Sequence, residues 1–313
     1  MSPRVSIITR TKNRGLLLRR SVESVLSQTH ADWQLVIVND GGDRSHVDPL
    51  LLELEPRLRG RALVVHHETS KGMEAATNAG IRASSGELIA LLDDDDTWHP
   101  DFLKETVGFL DANTDRSVRG VVSHAAWVKE RIEGDVVTEL SRTVGNAHVR
   151  AVPLVLVLSH NPFPVHSFVY ERGVIDEIGF YREDFPVAGD WQFLIRFVSK
   201  YDVGVVPKVL AFYHQRESLL EGQYSNSIIA TNDKLRHYEA KMFNELLRAD
   251  LESGRAGLGH LASIARELHD LRERIRVLER RTREARPWTM ERVRKSLYRT
   301  AKNTGLVRGR SNG

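Results

Sequence analysis

Five apolar residues, Leu88, Ile89, Ala90, Leu91 and Leu92, run directly into four carboxylates, Asp93, Asp94, Asp95 and Asp96, with Thr97, Trp98, His99 and Pro100 behind them. A run that is apolar at every position, entered from Gly86, reads as a strand covered on both faces. Such strands belong to α/β sheets, where ligands bind in the crevice outside the carboxyl ends of the strands. Pro100 is placed to open a helix over 101–110. Neighbouring carboxylates repel one another strongly at close range. A divalent cation relieves that repulsion, and hard ions such as Mg²⁺ or Mn²⁺ prefer oxygen ligands together with substrate phosphates. The plainer alternative is an acidic turn dissolved in solvent, but the apolar strand feeding this one favours the metal.

The preceding segments alternate between strand and helix patterns. Val5, Ser6, Ile7, Ile8 and Thr9 form a β-rich run, followed by the polar turn 10–15. Leu17, Leu18, Val22, Val25 and Leu26 make one apolar stripe, which predicts a helix over 16–28. Strands are predicted over 33–38 and 62–66, and helices over 47–54 and from Lys71 through Ile81. This β-α-β-α-β-α-β order calls for a mostly parallel, Rossmann-like sheet with helices on both faces. Three strand ends then open on one rim: Thr9, Arg10, Thr11 and Asn13; Asn39, Asp40 and Asp43; and the acidic block. Taken alone, Asp40 is a turn residue; on this rim its carboxylate can accept from a base imide or a ribose hydroxyl. There is no G-x-G-x-x-G and no P-loop, so dinucleotide binding and ATP hydrolysis lack their phosphate cradle.

The 313 residues suffice for one large α/β domain and an appendage, and 41% hydrophobic with 28% charged residues is ordinary globular composition. With no cysteine there is neither a disulfide framework nor a thiolate metal site. No apolar run is long enough to span a bilayer, and the chain enters its first strand without a signal-peptide core. These features predict a cytoplasmic location. The net charge of +3 is small and the arginines crowd after Ala265, so nucleic acid is not expected on the main domain.

The order and spacing of six pieces resemble family-2 glycosyltransferases of the GT-A fold. They are residues 5–14, 24–29, 36–42, 78–81, 86–87 and 92–100, and the likeness extends over about residues 4–215. The resemblance implies an inverting transferase that uses a nucleotide-sugar, UDP-linked by expectation. Its nucleotide-sugar pocket would comprise Thr9, Arg10, Asn13, Asp40, Lys71, Asn78, Asp93 and Asp94. Asp93 and Asp95 match the family's D-x-D motif, with Asp95 as direct ligand of Mn²⁺ or Mg²⁺. The chain departs from the pattern at Arg10, where the family usually has Pro, at Asn39, where it has Asp, and at Thr77, where it often has Arg. Lys71 or Arg82 would then supply the cation near the diphosphate.

In the second half, 120–128 is predicted as a strand, 146–158 as a mixed helical segment, and 161–170 as a loop feeding another strand. Asp190 stands where an N-cap belongs, ahead of the apolar helix from Trp191. By the resemblance it is the catalytic base. Trp98 and Trp191 flank the carboxylates and are candidates to stack on a sugar, with core packing as the alternative. His214 is a candidate extra metal ligand or diphosphate contact, against an ordinary loop histidine, and His166 a weaker one.

Beyond residue 220 the likeness stops. We expect a GT-A domain over 1–220, a helical extension over 221–286 and a basic amphipathic tail over 287–313. Ile264, Leu268, Leu271, Ile275 and Leu278 recur at steps of four and three, an a/d seam suited to a coiled-coil homodimer through 264–278. Trp288, Met290, Val293 and Leu297 set among Arg292, Arg294, Lys295 and Arg299 suit peripheral contact of 287–310 with the inner face of a membrane. The acceptor by expectation is a glycan or lipid-linked hydroxyl. Two rivals stand beside this reading. A nucleotidyltransferase would want a Gly-rich basic loop after the first strand, which 9–15 lacks. A non-catalytic scaffold would have no reason to keep both Asp95 and Asp190.

Overall fold

The computed structural model describes residues 3–216, 232–255 and 257–284. The described residues fall into two units that part between Met242 and Phe243. The expected boundaries at 220/221 and 286/287, and the whole basic tail, lie outside the described residues.

The first unit is built on a nine-stranded sheet. β1 (Val5–Thr11), β2 (Trp33–Asp40), β3 (Ala62–His67) and β4 (Leu88–Leu91) carry the first half. They lie in the order β3-β2-β1-β4, all parallel. The connecting helices are α1 (Gly15–Leu26), α2 (Asp48–Leu58) and α3 (Met73–Ala83). The all-apolar pattern of β4 has its expected cause, because both of its faces are buried. Val5, Ile7, Leu35, Ile37, Leu88 and Ala90 point into one core cluster with α1 and α2. Ile8 faces the other way, toward α3, where a Cβ on Gly80 would sit 2.4 Å from Ile8 Cγ2. Only glycine lets that helix come so close to the strand.

The second half mixes directions. It comprises β5 (Thr97–Trp98), α4 (Phe102–Ala112), β6 (Val118–Glu133), β7 (Val136–Val144), α5 (Leu154–Ser159) and β8 (Phe168–Glu171), then α6 (Val174–Ile178), α7 (Gly189–Val198) and β9 (Asp202–Arg216). β8 is inserted antiparallel between β4 and β6, and β9 runs parallel to β6 and antiparallel to β5. β7 pairs with β6 as a hairpin off this path. An aromatic layer seats α7: Phe193 stacks on Tyr181 at 4.1 Å and tilts against Tyr170 at 5.2 Å, while Phe168 meets Phe197 edge-on at 5.2 Å.

Two local expectations are corrected. The segment 146–153 is not helical; Asn146 Oδ1 instead accepts from the Ala125 N–H at 2.6 Å, and the helix begins only after Pro153. Residues 202–216 form a long strand rather than a loop around His214, because pairing with β6 overrides the weak pattern left by Gly204 and Pro207. After the first unit's sheet the chain continues as α8 (Asn232–Glu252), within which the two units part, and the second unit then holds α9 (Leu258–Glu284).

Candidate active site

β4 ends at Leu91 in the middle of the parallel strands, so the 93–96 turn emerges at the sheet's carboxyl rim. Burial alternates along it: Asp94 and Asp96 point inward, while the side chains of Asp93 and Asp95 keep 28% and 13% of their surface exposed. Arg10 clasps Asp93, with Nε at 2.9 Å and Nη2 at 2.8 Å from Oδ1. Thr11 Oγ1 donates to Asp94 Oδ2 at 2.7 Å, and Arg14 Nη1 lies 3.3 Å from Asp94 Oδ1 and 3.4 Å from Asp95 Oδ2. Arg216 Nη2 also donates to Asp95 Oδ2.

These surroundings set different proton affinities. Burial, then the neighbouring Asp95 charge, pushes Asp94 up to about 7 against the pull of Arg14 and Thr11. Burial and the Asp96 charge likewise raise Asp95. Burial acts to raise Asp96 too, but His166 and His214 outweigh it and hold that carboxyl low. His166 Nδ1 lies 2.8 Å from Asp96 Oδ2, and the His214 N–H donates to Oδ1 at 2.9 Å.

Beneath the turn lies a buried network that sequence reasoning missed. Glu130 Oε2 meets Arg20 Nη1 at 2.6 Å and His214 Nδ1 at 2.8 Å, while Oε1 accepts from Arg216 Nη1 at 3.1 Å. Burial opposes the charge on Glu130, yet these partners hold its carboxyl at about 2. Arg20 Nη2 also donates to the Asp95 carbonyl at 2.7 Å, tying α1 to the turn. A signal did exist: in β6, Val128 and Glu130 alternate inward together, so a carboxylate occupies a core register.

Asp190 sits in the first turn of α7, but Ala188 (φ 60°) occupies the cap position, so the expected capping role is corrected. Asn161 Nδ2 donates to Asp190 Oδ2 at 3.0 Å, and the Trp191 N–H also bonds the carboxylate. Burial raises the Asp190 carboxyl, and the Asp93 charge adds to that against Arg10. A second carboxylate, also missed, adjoins it. Glu74, in the first turn of α3, lies against Gly189, where a Cβ would come within 2.4 Å of its Oε1. Burial lifts Glu74 to about 7 although Arg10 Nη1 is 3.7 Å away. Arg10, Asp93, Glu74 and Asp190 thus act on one another's charge, which joins the acidic turn to α7.

Asp40 ends β2 with its acceptor capacity filled: His67 Nδ1 and the Lys71 N–H meet Oδ1 at 2.7 and 2.8 Å, and Ser70 Oγ and the Gly72 N–H meet Oδ2 at 2.7 and 3.0 Å. Burial is outweighed by these donors, so its carboxyl is lowered. Asp40 therefore clamps the 68–72 loop, leaving the Lys71 side chain exposed beside it. Asn13, also at positive φ, accepts from the Asp43 N–H at 2.6 Å, and buried Thr9 Oγ1 has no hydrogen-bond partner among the described residues.

Four of the expected site residues have their polar groups engaged within the fold. Asn78 is buried, its amide spent on the Tyr181 backbone and on Glu183, so it ties α3 to the 181–183 segment. Trp98 is 3% exposed, stacks on Phe102 at 4.4 Å and donates its Nε1–H to the His166 carbonyl. Trp191 is 6% exposed and donates to the Val157 carbonyl at 2.6 Å. Neither ring is open to a sugar. His214 has both ring nitrogens engaged, Nδ1 with Glu130 at 2.8 Å and Nε2 with Thr97 Oγ1 at 2.9 Å, so in this fold it braces the turn.

Among the described residues no cluster of three or more His, Asp or Glu is arranged to hold a metal. Asp93 Oδ2 and Asp95 Oδ1 nevertheless accept no hydrogen bond from the described residues, and two unspent hard oxygens on the open side of the turn fit a divalent cation.

Residues 6–136 match the family model for glycosyl transferase family 2. An uncharacterized glycosyltransferase of Nostoc sp. is 28% identical over 179 residues, 56% of this chain; the chain spans about half that relative's length, 53%. Residues 1–349 of Staphylococcus aureus TarS, solved with UDP-GlcNAc, superpose with TM-score 0.54 at 17% identity, covering 80% of this chain and 73% of that one. The mannosyltransferase PcManGT of Pyrobaculum calidifontis, solved with GDP-Man and Mn²⁺, superposes with TM-score 0.53 at 17% identity, covering 86% and 80%. At these identities the two structures are alike in fold.

Proposed function

The chain belongs to glycosyl transferase family 2 and has the GT-A fold, and on that premise we propose that it is an inverting transferase with Asp190 as its base. The observation that carries this reading is the placement of Asp190. It is a half-buried carboxylate in the first turn of α7, acted on by the charges of Arg10 and Asp93 on the donor rim, while Ala188 holds the cap position. In this reading the donor rim and the base serve the same reacting centre.

In the proposed reaction an acceptor hydroxyl, on a glycan or lipid-linked sugar, is oriented beside Asp190. Its proton passes to the carboxylate as the oxygen attacks the anomeric carbon. The bond from that carbon to the diphosphate oxygen breaks on the opposite face, and its electron pair leaves with the nucleoside diphosphate, so configuration inverts. Asn161 and the Trp191 N–H hold the carboxylate in place. Asp93 and Asp95 would hold Mn²⁺ or Mg²⁺, which when bound supplies Lewis-acid stabilisation of the leaving diphosphate. Arg10 and Arg14 add fixed positive charge at the same rim. For Asp40 to read a base or ribose, the 68–72 loop must release part of its carboxylate.

The donor is proposed as a nucleoside-diphosphate sugar, with UDP the first to test because a structural neighbour is solved with a UDP-sugar. Calorimetric titration with UDP, GDP and dTDP, each with and without Mn²⁺, tests both points. Heat from one nucleotide that depends on Mn²⁺ is expected. No binding of any nucleoside diphosphate would overturn the donor assignment.

A further inference from the structure

We propose that α9 joins two copies of this chain as a parallel, in-register, two-stranded coiled coil. The interface is the seam Ile264, Leu268, Leu271, Ile275 and Leu278. These five large apolar side chains are 56%, 50%, 53%, 46% and 59% exposed, so the described residues of their own unit do not cover them. They fall on one face of a 27-residue helix whose other described side chains from 265 on are charged or polar, Ala265 and Val277 apart. A lone helix has no reason to hold such a stripe in water, whereas pairing removes it from solvent.

The identity of the partner follows from the flanking charges. The spacing assigns Leu268 and Ile275 to a positions and Ile264, Leu271 and Leu278 to d positions. Glu267 and Arg274 then occupy g, and Arg272 and Glu279 occupy e. In a parallel pair each g residue faces the e residue five positions further along the other helix. Glu267 would meet Arg272 of the second copy, and Arg274 would meet its Glu279. Two-fold symmetry repeats both contacts, giving four opposite-charge pairs and no like-charge pair. All four side chains are exposed, and none forms an ion pair within its own chain among the described residues, unlike neighbouring Glu273 and Arg276. An antiparallel pair sets g against g and e against e. That matches Glu267 to Arg274 but leaves Arg272 opposite Ala265. The charge pattern is thus self-complementary in one orientation and register, which selects a second copy over an unrelated helix. Ile275 at a with Leu271 and Leu278 at d is the combination that favours two strands, whereas Ile264 at d with Leu268 at a is the reverse, so sedimentation must return two copies and not more.

Sedimentation equilibrium of the full chain at tens of micromolar tests the proposal, with thermal unfolding as the control that each variant remains folded. The wild-type chain should be a dimer and Leu271→Lys a monomer. Glu267→Arg places like charges at two symmetric contacts and should weaken association about tenfold or more. The double variant E267R/R272E should restore it. Because the natural chain has no cysteine, Ile264→Cys and Leu278→Cys can each be tested for cross-linking under mild oxidation. Both should form disulfide dimers, since in register each d residue lies about 6 Å from its own copy, within disulfide reach. A monomeric or higher-order wild-type chain, a dimer that survives Leu271→Lys, rescue by E267R/R274E instead of E267R/R272E, or no cross-link at either cysteine would overturn it.

Discussion

Neighbouring carboxylates of the 93–96 turn are held in different charge states by what faces them. Asp96 is fully buried but stays ionised between two histidines, whereas Asp94, beside Asp95 and only loosely met by Arg14, is pushed up to about 7. Asp93 and Asp95 each keep an open oxygen on the rim, and Asp95 is the one that the D-x-D resemblance makes the direct metal ligand. Asp95→Ala should weaken Mn²⁺-dependent nucleotide binding about tenfold or more while leaving any metal-free binding unchanged, as read by calorimetry with and without Mn²⁺. Equal affinity in both conditions would remove Asp95 from the metal. Asp190→Asn should keep donor affinity and lower kcat by about 10²-fold or more, the scale of a positioned base. The pH profile carries its own sign. A base whose carboxyl is raised by burial is protonated over a wider acid range, so kcat/KM should fall as pH drops through that value. In Asp190→Asn that acid limb should vanish from the residual rate.

At the scale of elements, the site depends on how close α3 lies to β1 and on how β6 and β9 support the turn. Gly80→Ala gains about 1 kcal/mol in helix propensity. It also forces a methyl to within 2.4 Å of Ile8 Cγ2, and overpacking of this kind costs about 1–3 kcal/mol. The steric term should win, and the melting temperature should fall; a rise would mean that α3 can move away freely. Glu130 ties β6 to Arg20 of α1 and to His214 and Arg216 of β9. Glu130→Gln leaves buried cations without their counter-charge and should cost on the order of 3 kcal/mol. The wild-type contribution has a definite pH window. The carboxyl is held at about 2, below its ordinary 4.5, so its stabilisation is complete above about 4.5 and is lost as pH falls toward 2. Denaturant midpoints measured from pH 7 to pH 3 should therefore converge for wild type and Glu130→Gln; parallel curves would contradict the assignment.

For the whole molecule, the sheet unit and the C-terminal segments are separable predictions. No described helix is long and apolar enough to cross a membrane, and the basic tail lies outside the described residues. Removing 286–313 should leave nucleotide binding intact, because every site residue precedes 217. It should reduce flotation with anionic liposomes, since each basic residue near such a surface contributes about 1 kcal/mol. Equal flotation of both forms, or none of either, would leave the tail without a membrane role.

What the sequence by itself determined is what local pattern encodes. Fully apolar runs of four or five residues marked β2 and β4, the β-rich run of Val5 to Thr9 marked β1, the 3.6-residue stripe of Leu18, Val22 and Val25 marked α1, and their alternation implied a parallel sheet with Asp93 and Asp95 at its rim. Position along a strand and charge type were enough for that inference. Only the tertiary structure decided which polar groups were already satisfied. Trp98, Trp191, Asn78 and His214 look like ligands by residue type, but each is spent on a partner at least 34 residues away in sequence. Glu74, Glu130 and Arg216 carry no motif and become part of the site only because β6, β9 and α3 are folded against β4 and α7. A side chain's hydrogen-bond capacity is finite, and which partners fill it is set by contacts between distant segments, which no local pattern records.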